Sequence, residues 1–152
     1  MDCVFCGIAN KQIPAFIVYE EEGFIAFLDI NPANPGHIIV APKKHYKNVM
    51  EMPEAAYTRM HAIARALALA LFKFGAEGVD ILLPIGSMAG QRIQHAFLHV
   101  IPRFPKDKVN FTWEPLKLTE EQFKEILRRI RAEIGVAEEK EEEKVVYEER
   151  LP

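Results

Sequence analysis

Two histidines flank a phenylalanine at alternate positions of the segment Gly90-Gln91-Arg92-Ile93-Gln94-His95-Ala96-Phe97-Leu98-His99-Val100-Ile101-Pro102-Arg103. Successive side chains of an extended strand point to opposite sides of a sheet, so His95, Phe97 and His99 are expected to share one face. The apolar residues at 96, 98 and 100 then fill the other face. Because a phenyl ring has no lone pair to offer, chemistry on the first face would depend on the two imidazoles.

Composition indicates one ordinary domain. The chain has 152 residues, of which 49% are hydrophobic, and its longest apolar run, at 64–72, is interrupted by Arg65. A membrane helix needs about 20 apolar residues, and the start Met1-Asp2-Cys3 does not resemble a signal peptide. We therefore expect a cytoplasmic protein under reducing conditions, without a membrane partner.

The net charge of −3 arises at the C-terminus, where residues 137–152 contain seven Glu against three Lys and Arg. The rest of the chain shows no clustered basic face, so we expect no nucleic-acid partner. The sequence shows no linker before residue 135, which predicts a domain over 1–135 and an acidic extension over 136–152. We expect this extension to be solvated, although its apolar patch Val145-Val146-Tyr147 could instead form a strand.

The hydrophobic pattern predicts an α+β fold. Short β-branched and aromatic runs at 15–19, 24–28, 38–41, 81–83 and 97–103 indicate five strands, beginning as an antiparallel meander. Apolar residues spaced by three and four predict one long helix over 53–74, ended by Gly75. A capping box formed by Thr119 and Gln122 predicts a C-terminal helix that runs to about Ile134.

Cys3 and Cys6 form a Cys-x-x-Cys pair in a chain with no other cysteine. In a cytosolic protein such a pair indicates metal binding or redox activity more often than a disulfide framework. A tetrahedral zinc site needs four ligands, and two of the five histidines could complete it. The alternative is a pair of reduced cysteines near a mobile N-terminus.

Three segments, at 27–32, 36–45 and 90–103, resemble the histidine triad (HIT) family of nucleotide hydrolases and transferases. The family motif reads His-φ-His-φ-His-φ-φ, where φ is apolar, and the resemblance extends from about residue 3 to residue 113. It implies a HIT-like fold with a five-stranded antiparallel sheet, and a homodimer that pairs through the long helix and a sheet edge. In the family the middle histidine attacks the α-phosphate of the nucleotide. In this chain that position holds Phe97.

The resemblance also implies two sites. The first is a structural zinc site, with ligands Cys3, Cys6, His45 and His95. The second is a purine-nucleotide site, in which Asp29 accepts hydrogen bonds from the ribose hydroxyls. Asp29 could alternatively cap the turn before Asn31-Pro32. Apolar residues would line the base slot (Val4, Phe5, Ile8, Phe27, Leu28, Ile30).

The phosphate end of this second site departs from the family pattern. Asparagines common in the family are replaced by Leu82-Leu83-Pro84, and a proline has no backbone N–H to offer an anion. What remains for phosphate contacts and catalysis is Ser87, the backbone around Ala89-Gly90, Gln91 and His99. Arg92 could add positive charge nearby, although strand alternation from His95 points it away from the histidine face.

These observations predict a protein that binds a purine nucleotide or dinucleotide with impaired or absent nucleotidyl-histidine catalysis. One alternative is an active hydrolase of dinucleoside polyphosphates or phosphoramidates, in which His99, Gln91 and a water molecule carry out the chemistry. Another is a zinc-stabilised structural or interaction protein whose pocket is vestigial.

Overall fold

The computed structural model describes residues 3–135 of the chain. Its helices are α1 (Val4–Ala9), α2 (Glu54–Phe74) and α3 (Glu120–Ile134), with two short 3-10 turns at Val49–Glu51 and Ser87–Ala89. Its strands are β1 (Ile17–Glu21), β2 (Phe24–Leu28), β3 (Ile38–Pro42), β4 (Gly78–Leu82) and β5 (Leu98–Arg103). The chain divides into two compact units after Asn110. The predicted domain over 1–135 stays a prediction, and the acidic extension over 136–152 lies outside the described residues.

The first unit contains a five-stranded antiparallel sheet with the strand order β1-β2-β3-β5-β4. Strand β5 lies between β3 and β4, and within it His99 pairs with Ile39 on one side and with Leu82 on the other. His99 is therefore fixed by backbone pairing on both sides. The loop that leaves β4 after Leu82 starts directly beside it.

Both faces of the sheet are covered by apolar side chains. The α2 face packs Ala96, Leu98 and Val100 against buried residues of the long helix, including Met60 and Leu67. The opposite face packs Phe97 with Phe5 and Ile8 of α1 and with side chains of β2 and β3 (Ile25, Phe27, Ile39, Ala41). The alternation in the sequence thus separates two cores, and the residues of the candidate site belong to the α1 face.

The predicted α+β fold is confirmed: five antiparallel strands, one long helix and a C-terminal helix are present. Helix α2 ends at Gly75, whose φ of 123° is accessible to glycine and strained for other residues. Three strands begin a few residues away from their predicted starts, since pairing with a neighbour sets where a strand begins. Helix α1 was not predicted, because six residues that include Gly7 carry no readable helical period.

The second unit contains α3, which starts as the sequence predicts. The Thr119 hydroxyl accepts a hydrogen bond from the Gln122 backbone N–H at 3.2 Å, and the Gln122 side-chain oxygen accepts one from the Thr119 N–H at 2.8 Å. This reciprocal pair satisfies two N–H groups at the start of the helix. Within residues 3–135, no helix is long and apolar enough to cross a membrane.

Candidate functional site

Cys3, Cys6, His45 and His95 converge, with their ligand atoms all within 4.8 Å of one another. We call these four residues the cysteine–histidine cluster. The His95 Nδ1 atom lies 3.3 Å from Cys3 Sγ, 3.5 Å from Cys6 Sγ and 3.2 Å from His45 Nδ1, and Cys6 Sγ lies 3.3 Å from His45 Nδ1. Zinc–sulfur and zinc–nitrogen bond lengths place tetrahedral ligand atoms about 3.3–3.8 Å apart. The four side chains therefore have nearly the spacing that a zinc ion requires.

The tautomer of His95 also suits metal binding. His95 is completely buried, and its Nε2–H donates to the Pro42 carbonyl oxygen at 2.8 Å. The proton on Nε2 leaves the Nδ1 lone pair directed at the two sulfurs. Burial lowers the pKa of His95, which keeps the ring neutral, as a metal ligand must be.

Helix α1 places the two cysteines. Cys3 is its N-cap, and the Cys3 sulfur accepts a hydrogen bond from the Cys6 backbone N–H at 3.4 Å. Burial, followed by hydrogen bonding to Cys3 and the charge of Cys3, raises the pKa of the Cys6 thiol to about 11. A divalent cation is the partner that stabilises thiolates in such a position, because metal binding ionises a coordinating thiol.

A second cluster joins Asp29, His37 and His99, whose ligand atoms also lie within 4.8 Å of one another. We call it the carboxylate–imidazole cluster. The His37 Nε2 atom lies 2.9 Å from His99 Nδ1 and 3.6 Å from Asp29 Oδ2. His37 is 5% exposed. The sequence alone gives no catalytic or binding role for His37, although it belongs to the matched segment 36–45 and directly follows Gly36.

One backbone amide determines the protonation of both imidazoles. The Ala33 N–H donates to His37 Nδ1 at 2.9 Å, so the proton of the neutral His37 ring sits on Nε2. This Nε2–H donates to His99 Nδ1, and the proton of neutral His99 therefore sits on its own Nε2. The order Ala33, His37, His99 is a directed chain of donors. It disfavours a metal at this cluster, because Nε2 of His37 carries a proton where a metal would need a lone pair.

Asp29 serves the turn that follows it and still faces the cluster. Its Oδ1 atom accepts a hydrogen bond from the Asn31 N–H at 2.8 Å, and its backbone N–H donates to the His37 carbonyl at 2.9 Å. Oδ2 is directed towards His37. The turn-capping role that the sequence left open is therefore present. A carboxylate has several lone pairs, so this role does not exclude contacts with ribose hydroxyls, which stay a prediction.

The residues predicted to line the base slot divide into two sets. Phe5, Ile8 and Phe27 are buried and pack in the α1-face core. The other three are more exposed, at 46% for Val4, 37% for Leu28 and 78% for Ile30. The prediction for Leu28 is wrong, because Leu28 pairs with Ile38 and therefore lies on the α2 face of the sheet, away from the site. Val4 and Ile30 are therefore the exposed residues of the predicted slot.

The Phe97 ring connects the two clusters. It is 4% exposed and packs edge-on against Phe5 and His99, at ring-centroid distances of 5.3 and 4.9 Å. Phe5 in turn packs edge-on against His95 at 5.6 Å. Such edge contacts are favourable between rings and need no hydrogen-bond partner. Position 97, which the family resemblance aligns with the middle histidine of the motif, therefore holds a well-packed hydrocarbon ring.

The loop after β4 is closed by Gln91. Its side-chain oxygen accepts a hydrogen bond from the Gly86 N–H at 2.9 Å, and its amide nitrogen donates to the carbonyls of Lys47 at 2.6 Å and Ile93 at 3.0 Å. The amide of Gln91 thus joins three backbone segments. Ser87 is exposed on the 3-10 turn of the same loop. The predicted ligand contacts of both residues stay predictions.

Comparison with known proteins shows the same family as the motifs. A model of the HIT domain matches residues 10–106. An uncharacterized HIT-like protein from Methanocaldococcus jannaschii is 44% identical over 105 residues, which is 69% of this chain and 81% of that protein. A zinc-bound histidine triad family protein from Mycobacterium smegmatis has 34% identity and a TM-score of 0.70, covering 89% of this chain and 96% of that one. A hypothetical histidine triad nucleotide-binding protein from Sulfolobus tokodaii has 35% identity and a TM-score of 0.65, covering 86% of this chain and 90% of that one.

The His99 ring should titrate far below an ordinary histidine. Burial first, and then the neighbouring His37, lower its pKa from 6.5 to about 4, against a smaller opposite effect of Asp29. A folded-state pKa below the unfolded value means that the unfolded chain binds the proton more readily. The free energy of unfolding should therefore fall as the pH drops from about 6.5 to about 4.

NMR measures the tautomers of His37 and His99 and the pKa of His99, with the His99→Gln variant used to assign the ring signals. We expect long-range proton–nitrogen correlations at neutral pH to show His37 and His99 as Nε2–H tautomers, and the His99 ring signals to shift with a midpoint near pH 4. An Nδ1–H tautomer on either ring, or a His99 midpoint near the ordinary value, would contradict the donor chain.

Proposed function

The chain belongs to the histidine triad (HIT) family, and from that membership we propose that it binds a purine nucleotide by its nucleoside part, with little or no covalent nucleotidyl transfer. The observation that carries the proposal is the Phe97 ring, which fills the nucleophile position and is 4% exposed. Covalent transfer needs an imidazole nitrogen in line with the leaving group. A phenyl ring cannot supply it.

His99 does not replace the missing nucleophile. It lies two residues further along the chain, and two residues of a strand span about 6.5–7 Å, whereas near-attack geometry needs reacting atoms within about 3–3.5 Å. Its Nδ1 lone pair already accepts the proton of His37 Nε2–H. His99 therefore presents a donor, which disfavours the alternative in which it acts as a general base on water.

The nucleoside end of the site keeps the groups that a purine ribonucleoside needs. Asp29 supplies carboxylate lone pairs for two neighbouring hydroxyls, and the exposed apolar residue Ile30 follows it directly in the chain. An apolar surface next to an acceptor suits a planar base attached to a ribose. The nucleotide-binding description of the Sulfolobus tokodaii neighbour supports this assignment.

We also propose a structural zinc ion in the cysteine–histidine cluster. The spacing of the four ligand atoms and the free Nδ1 lone pair of His95 support it, as does the zinc-bound neighbour from Mycobacterium smegmatis. Four protein ligands leave no open coordination position, so the ion would hold α1 against the sheet without taking part in chemistry.

A homodimer is the assembly we propose. Strand β4 lies at the edge of the sheet and exposes Ile81, while α2 carries exposed apolar side chains near its end, at Leu69, Phe72 and Phe74. Exposed apolar groups of this size next to a strand at the edge of the described sheet suit an interface between copies. The pairing through a long helix and a sheet edge that the family resemblance implies uses the same two elements.

Turnover should appear when the nucleophile is restored. We expect zinc-loaded wild-type protein to cleave diadenosine tetraphosphate at least about 100-fold more slowly than its Phe97→His variant, since only the variant can form a nucleotidyl-histidine. Chromatographic separation of the products measures both rates. Phe97→Leu is the matched control and should stay inactive. Equal rates in wild type and the Phe97→His variant would refute the proposed loss of catalysis.

Metal analysis tests the zinc site. Purified protein should contain about one zinc ion per chain, and Cys6→Ser should lose most of it because two thiolates dominate the affinity. Removal of the metal with a chelator should lower the unfolding temperature by at least about 5 °C. His61→Ala, outside the cluster, is the control and should keep its zinc. A metal content that does not change in Cys6→Ser would show that the zinc lies elsewhere.

Light scattering coupled to size exclusion tests the dimer. The wild-type protein should have twice the 17.4 kDa mass of one chain. Phe72→Glu should shift it towards the monomer, because a charge buried in an apolar interface is costly. Ile30→Glu, at the pocket, should leave the mass unchanged. A monomeric wild type at micromolar concentration would contradict the proposed assembly.

A further inference from the structure

In the loop that would receive a phosphate, several backbone N–H groups already donate to carbonyl groups of the same loop. We call residues 84–91, which leave β4 beside His99, the phosphate loop. Within it the Ala89 and Gln91 N–H groups donate to the Gly86 carbonyl, both at 3.1 Å, and the Gly90 N–H donates to the Ser87 carbonyl at 3.0 Å. A phosphate is normally bound by backbone N–H groups that converge on an open space. In this loop three of those groups point back into the loop itself.

Two further backbone N–H donors are lost to a phosphate, one through the side chain of Gln91 and one because position 84 is a proline. The Gly86 N–H is taken by the Gln91 side-chain oxygen at 2.9 Å, and the Gln91 amide hydrogens point to the carbonyls of Lys47 and Ile93. Pro84 has no N–H at all. Opening the loop for an anion would break hydrogen bonds that hold three segments together.

The side chains of the site itself add no positive charge, and the cations next to the loop in the chain or by hydrogen bonding, Arg92 and Lys47, are solvent-exposed. Phe97 is a hydrocarbon, and the two imidazoles of the carboxylate–imidazole cluster are neutral in the donor chain that starts at Ala33. The pKa values of His37 and His99 are lowered, mainly by burial, which keeps them neutral at pH 7. The Asp29 carboxylate, within 4.8 Å of both rings, would repel a phosphate bound against them.

A neutral 5′-hydroxyl meets none of these obstacles. The remaining donor of the carboxylate–imidazole cluster is His99 Nε2–H, and one hydroxyl oxygen accepts one such hydrogen bond without bringing charge. At the other end of the pocket, Asp29 suits the ribose diol as in the proposed function. The whole site is therefore complementary to a ribonucleoside and poorly complementary to its phosphate ester.

We propose that the ligand of this site is an unphosphorylated purine nucleoside, and that a 5′-phosphate contributes nothing to its affinity. The inference rests on the proposed function, because it uses the same pocket and the same carboxylate. It differs from that function in the ligand class, since the phosphate end of the pocket would then select against the nucleotide.

Calorimetric titration of the zinc-loaded, full-length protein with adenosine, AMP, guanosine and GMP tests the inference. We expect each nucleoside to bind at least as tightly as its monophosphate, at low and at high salt alike. Monophosphates that bind more than about tenfold tighter would overturn the inference and leave the proposed function standing. If none of the four ligands binds, the proposed function fails and the inference fails with it.

Variants at positions 97 and 29 test which residues determine the preference for the nucleoside. Phe97→His should raise the affinity for the monophosphate relative to the nucleoside, while Phe97→Leu should leave that ratio unchanged. Asp29→Asn keeps an oxygen acceptor for the Asn31 N–H and should weaken all four ligands about tenfold or more. Should the Phe97→His variant fail to fold, the ratio of the wild-type affinities for nucleoside and monophosphate still decides the question. A Phe97→His variant that folds and keeps the wild-type ratio would refute the assigned role of Phe97.

Discussion

The edge-on packing of the Phe97 ring between Phe5 and His99 joins the two clusters of this protein. Phe5 lies on α1 between the two cysteines, and His99 lies in the middle of the sheet beside His37. A buried imidazole at position 97 would need a hydrogen-bond partner, whereas a phenyl ring packs there without one. A phenylalanine at this position thus suits the packing of the fold, and in the proposed function it also leaves the site without the imidazole that covalent transfer needs.

Much of this arrangement could be predicted from the sequence because it follows from strand alternation. Residues 96, 98 and 100 face α2, and Phe97 faces α1, as the alternate apolar pattern predicts, even though β5 begins only at Leu98. The capping box at Thr119 likewise predicts the start of α3, and the glycine at position 75 predicts the end of α2. The four zinc ligands suggested by the family resemblance converge in space, with His45 and His95 brought to α1 by strands β3 and β5.

Other features depend on contacts between distant segments and carry no sequence signal. Position 37 was matched as part of a motif, but the Ala33 amide that fixes its tautomer becomes visible only when the turn over 29–37 is folded. The hydrogen bonds that join the Gln91 amide to backbone groups at 47, 86 and 93 are equally invisible in the sequence, while the predicted ligand contact of Gln91 stays a prediction. Helix α1 is too short for a helical period, and its position depends on packing against the sheet.

The two clusters have different chemical characters because their protons are placed differently. In His95 the proton faces the Pro42 carbonyl and a lone pair faces the sulfurs, which suits a metal. In His37 and His99 the Ala33 amide sends both protons in one direction, which suits a neutral hydrogen-bond donor at the pocket. Backbone groups on neighbouring segments therefore decide which histidines can ligate and which can donate.

The most direct test of the central claim is intact-mass spectrometry of the zinc-loaded protein mixed with excess diadenosine tetraphosphate. A nucleotidyl adduct on the protein reports the covalent step itself, independently of how slowly products are released. With Phe97→His as the positive control, the wild-type protein should show no mass increase. An adenylylated wild-type chain, with the adduct on His99 or any other residue of the site, would contradict the proposal that a chain with Phe97 carries out no covalent catalysis.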